Sequence, residues 1–90
     1  MGKETRLFKS EEQKSREEVS AFLRHLADRI SEGRVQLSQG QEAIELNLPG
    51  TLILEVQVEE ESKGSKGVQH SLEVEIKWYE EGQQGPLELS

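Results

Sequence analysis

The apolar residues of this chain follow two periodicities, and the change between them falls at Gly33. Val19, Phe22, Leu23, Leu26, Ala27 and Ile30 recur at i, i+3, i+4, i+7, i+8 and i+11, the stripe of an amphipathic helix. Ser15 and Glu18 precede the stripe as S-x-x-E, in which each residue satisfies an orphan backbone donor of the other. Gly33 stands where a left-handed C-terminal cap is wanted, and Arg29 lies in the last turn, near the negative end of the helix dipole. The spacing predicts a helix over residues 15–32.

Beyond Gly33 the period becomes two. Val35 and Leu37 alternate, Ser38-Gln39-Gly40-Gln41 reads as a turn, and Ile44, Leu46 and Leu48 alternate again. Pro49-Gly50 marks the next turn, and Leu52, Leu54, Val56 and Val58 make a further run. Residues 59–67 read Glu-Glu-Glu-Ser-Lys-Gly-Ser-Lys-Gly, a polar, glycine-rich stretch expected to be a mobile loop. Leu72, Val74, Ile76 and Trp78 form the last run. Near the start, Glu4-Thr5-Arg6-Leu7-Phe8-Lys9 is expected to be a short strand. Residues 81–90, with Gly82, Gly85 and Pro86, are expected to be a flexible tail.

Short connections between alternating runs imply an antiparallel meander, with 35–37 as a short strand hairpinned to 42–48. The resulting fold class is α+β. One amphipathic helix packs on one face of a three- to four-stranded, mainly antiparallel sheet, in the order β-α-β-β-β, within a single domain over 1–80. Even-numbered apolar residues from 44 to 78 would turn inward under the helix. Few apolar positions are available to such a core, so the monomer should be marginally stable and self-association is expected.

Of the 90 residues, 32% are charged, and the net charge is −7. Eighteen acids against eleven Lys and Arg speak against nucleic acid and acidic membranes as partners, because both need basic surface. They favour a basic protein partner or a cation. With no cysteine there is no disulfide, thiolate nucleophile or sulfur-ligated metal. Residues 1–30 carry no apolar run of signal-peptide character, so a cytoplasmic location is expected.

The run Ser15-Arg16-Glu17-Glu18-Val19-Ser20-Ala21-Phe22-Leu23-Arg24-His25-Leu26-Ala27-Asp28, paired with the closing Leu72-Glu73-Val74-Glu75-Ile76-Lys77-Trp78, resembles the amphi-Trp domain family. The resemblance spans residues 4–80. It implies a small prokaryotic domain of unassigned function without recognised catalytic residues, so it supplies no active site.

Candidate chemistry is sparse. Trp78 is the only tryptophan, and its parity with Leu72, Val74 and Ile76 makes it a core residue rather than an interface anchor; Tyr79 points the other way. His25 and Asp28 lie one helical turn apart and read as a solvated pair, and His70 has no evident role. No H-E-x-x-H or similar spacing points to a metal, and no cofactor is expected. The serines lack a nucleophile elbow, and Gly64-Ser65-Lys66-Gly67 lacks the G-K-[ST] ending of a phosphate loop. The one pattern is a polar face: Glu45, Asn47, Ile53, Glu55, Gln57, Glu73, Glu75, Lys77 and Tyr79 share odd numbers along the strands. Like charges facing one another destabilise a sheet, so this face is either simply solvated or an interaction face. The expected function is a non-catalytic protein-interaction or self-association module, with a basic protein or a second copy as partner. A weak divalent-cation site and an uncharacterised enzyme are the alternatives.

Overall fold

A computed structural model describes residues 2–80; the tail expected over 81–90 lies outside the described residues. The chain falls into two compact units, Met1–Gly50 and Thr51–Ser90. The elements are α1 (Arg16–Glu32), β1 (Arg34–Gln39), β2 (Glu42–Asn47), β3 (Ile53–Ser62), a single 3₁₀ turn (Gly64–Lys66) and β4 (Val68–Lys77). The architecture is α+β, with two two-stranded antiparallel sheets, β1–β2 and β3–β4.

In the first unit, α1 is bounded as its sequence dictates. Ser15 Oγ accepts from the Glu18 N–H (3.0 Å), while Glu18 Oε1 accepts from the Ser15 N–H (2.9 Å). Two of the orphan donors at the helix start are thereby satisfied. At the other end Gly33 takes φ 85° and donates to the carbonyls of Arg29 and Ile30, a left-handed cap that a side chain would strain. The Gly33 carbonyl then accepts from the Leu48 N–H at 2.8 Å, tying the helix exit to the end of the hairpin. In the β1–β2 ladder Val35 faces Leu46 and Leu37 faces Ile44, which places all four on one face. Gly40, at φ 60°, opens the two-residue loop between Gln39 and Glu42, a position that hairpin turns reserve for glycine. Alpha1 packs against β1. Val35 is 4% exposed and is the buried apolar core among the described residues; Leu26, Ile30, Leu37, Ile44 and Leu46 are half-buried.

The second unit is a long hairpin. Its ladder runs from Ile53↔Lys77 to Ser62↔Val68. The Lys63 N–H donates to the Gly67 carbonyl (2.7 Å) and the Gly67 N–H to the Gly64 carbonyl (3.0 Å); Gly64 and Gly67 supply φ 65° and 94°. The expected loop over 59–67 therefore shrinks to residues 63–67. Glutamates 59–61 continue the strand because each has a ladder partner (Ser71, His70 and Gln69), and pairing outweighs weak strand propensity.

Three further expectations are corrected. Residues 4–9 form no strand: the described residues before Ser15 carry no regular element. Half of that hexapeptide is charged, and Leu7 is 71% exposed, so it has little apolar area to stabilise pairing. The order among the described residues is accordingly α-β-β-β-β, and the strands form two pairs rather than one meander. Finally, Leu52 and Trp78 fall just outside β3 and β4, one residue beyond the Ile53↔Lys77 pair that opens the ladder.

Candidate functional site: the two faces of the β3–β4 hairpin

Antiparallel pairing puts residues that face one another on the same side of the ladder, and neighbours in sequence on opposite sides. The register of β3–β4 therefore writes two unlike faces. On one lie Leu54↔Ile76, Val56↔Val74 and Val58↔Leu72; on the other lie Ile53↔Lys77, Glu55↔Glu75, Gln57↔Glu73, Glu59↔Ser71 and Glu61↔Gln69. Every apolar pair is on the even face and every acidic residue but Glu60 on the odd one.

The odd face gathers six of the residues expected to form an interaction face: Ile53, Glu55, Gln57, Glu73, Glu75 and Lys77. Lys77 Nζ lies 2.7 Å from Glu55 Oε1 and 4.0 Å from Glu75 Oε1, so it sits between the two carboxylates that oppose each other in the ladder. Its ammonium pKa is raised, first by the hydrogen bond to Glu55 and then by the charge of that carboxylate. Gln57 Nε2 donates to Glu73 Oε1 (3.2 Å), and the Ser71 hydroxyl donates to the other oxygen of Glu73 (3.4 Å). The repulsion anticipated from clustered glutamates is thus relieved locally, by a cation between one pair and amide and hydroxyl donors on the third. All these groups except half-buried Ser71 are exposed, and such surface contacts add little stability.

Tyr79 follows β4 and is 83% exposed. With Ile53, Ile76, Lys77 and half-buried Trp78 it lines an open depression of about 410 Å³. Glu45 and Asn47 stand on β2, in the first unit, where Glu45 Oε2 pairs with Arg34 Nε at 3.3 Å. They share the polar side of β1–β2 with Gln36.

The even face is where the sequence reading needs correction. Its apolar residues were expected to be core, yet Leu54 is 67% exposed, Val56 57%, Val58 72%, Leu72 71% and Val74 60%; only Ile76 and the following Trp78 are half-buried. Within residues 51–80 no element lies across this face. At its far end His70 Nδ1 approaches Glu60 Oε2 at 3.4 Å, a cross-strand contact that gives His70 a structural place. The alternation that marks these residues as one face was legible; their exposure was not, because alternation says nothing about what covers a face.

The remaining expected groups have ordinary partners. His25 accepts at Nε2 from Arg29 Nε (3.3 Å) rather than pairing with Asp28, and Arg29 Nη1 donates to Glu32 (3.0 Å). These residues rim a shallow cleft of about 340 Å³ between α1 and β1, floored by Phe22, Leu26, Val35 and Leu37. Among the described residues no three His, Asp or Glu side chains gather in a way that could hold a metal ion. No helix among them is long and apolar enough to cross a membrane.

Residues 1–90 match the Amphi-Trp domain, and the chain belongs to that family. No curated protein and no solved structure matches it.

Proposed function

We propose that this Amphi-Trp domain protein is a non-catalytic interaction module that binds a second copy or another protein through the β3–β4 hairpin. The observation that carries this reading is the exposure of the even face. A two-stranded hairpin solvated on both faces is marginal in water and gains independent stability only when an apolar face is covered. Five large aliphatic side chains open to solvent on one continuous face are the kind of patch that marks interaction sites. On the odd face, Glu55, Glu59, Glu61, Glu73 and Glu75 outnumber Lys77, so the reading includes a basic partner, attracted more strongly at low salt. A helix layered on a sheet face, as the periodicities imply, and a cytoplasmic setting belong to the same proposal. Cell fractionation tests the setting, and recovery in a membrane or secreted fraction would refute it.

Sedimentation velocity over a hundredfold concentration range, with and without the host lysate, tests the binding claim. The wild-type chain should gain mass, by self-association or with a lysate protein. Val56→Asp, which sets a carboxylate in the middle of the even face, should remain at monomer mass in both conditions. Wild-type and Val56→Asp chains that both stay monomeric throughout would overturn the proposal. Turnover of a substrate by the isolated chain would favour the competing enzyme reading.

A further inference from the structure

We draw no further inference here: the strongest candidate, the exposed apolar face of the β3–β4 hairpin around Val56 and Val74, belongs to the site already described, and nothing in the structure shows which surface covers it.

Discussion

The two hairpins of this chain share one sequence rule and differ in outcome. Both alternate apolar and polar residues, and both place their aliphatic side chains on one side of an antiparallel ladder. In β1–β2 that side includes a buried residue, Val35, and α1 packs against the strand that carries it. In β3–β4, longer at ten residues per strand, every strand residue except Ser71 and Ile76 is exposed. Alternation creates an amphipathic surface, whereas burial requires a second element to lie on it. Equal patterns therefore carry unequal energies, and the difference can be measured.

The largest effect is expected at Val35. Val35→Ala removes buried methyl groups from the most enclosed site among the described residues, at about 0.8 kcal/mol per carbon plus a cavity term. A loss of about 2 kcal/mol should appear in urea denaturation. The matching change Val56→Ala, at a side chain 57% exposed, should shift stability by less than about 0.5 kcal/mol in dilute solution. Equal losses at the two positions would erase the contrast between the hairpins.

Next in size is Gly33→Ala. The left-handed φ of 85° costs a residue with a Cβ roughly 1–2 kcal/mol, while the nearest atom to that Cβ, the Leu48 carbonyl oxygen, is 3.6 Å away. The penalty is thus conformational, and Gly33→Asn should recover part of it, since asparagine tolerates this region. If Gly33→Asn and Gly33→Ala lose the same stability in thermal denaturation, strain at the cap is not the cause.

Ser15→Ala should cost about 1 kcal/mol through the lost N-terminal cap, read from the same melts. Its partner Glu18 adds a pH dependence. The Glu18 pKa is lowered, chiefly by the hydrogen bond from the Ser15 backbone and then by the Ser15 hydroxyl. A lowered folded-state pKa means that the stabilisation is present above the unfolded-state value and is lost as pH falls through the folded one. Glu18→Gln should therefore flatten the acid side of the stability profile below the usual glutamate range, and an unchanged acid limb would exclude the capping box as its origin.

The smallest effect belongs to Lys77. Its raised pKa places the stabilisation below the unfolded-state lysine value, with loss as pH rises through the higher folded-state one. Lys77→Met should therefore lower stability slightly at neutral pH and flatten the alkaline limb of the profile, where the wild-type contribution is lost in any case. A large loss at neutral pH would show that this exposed ion pair matters more than surface pairs generally do.

Much of the architecture was readable before any coordinates. The S-x-x-E start, the 3.6-residue stripe and Gly33 bound the helix to within one residue, because caps and periodicity are local chemistry. The hairpin 35–37 with 42–48 was readable for the same reason, through Gly40. The run Glu59-Glu60-Glu61 misled, because pairing with 69–71 is a non-local fact that glutamate's own propensity opposes. The odd face of β3–β4 was legible as a set through parity, and register confirms the grouping of Glu55, Gln57, Glu73, Glu75 and Lys77. What parity could not supply was the environment of the opposite face, since the residue types of a core strand and of a docking strand are the same.

The most direct test of the proposed docking face is a concentration series followed by methyl chemical shifts. On the present account the methyl signals of Leu54, Val56, Val58, Leu72 and Val74 move together as protein concentration rises or as a captured partner is added, while those of Val35 stay fixed. If the hairpin methyls stay fixed under both conditions while Val35 responds, the binding surface lies elsewhere and the even face is not a docking face.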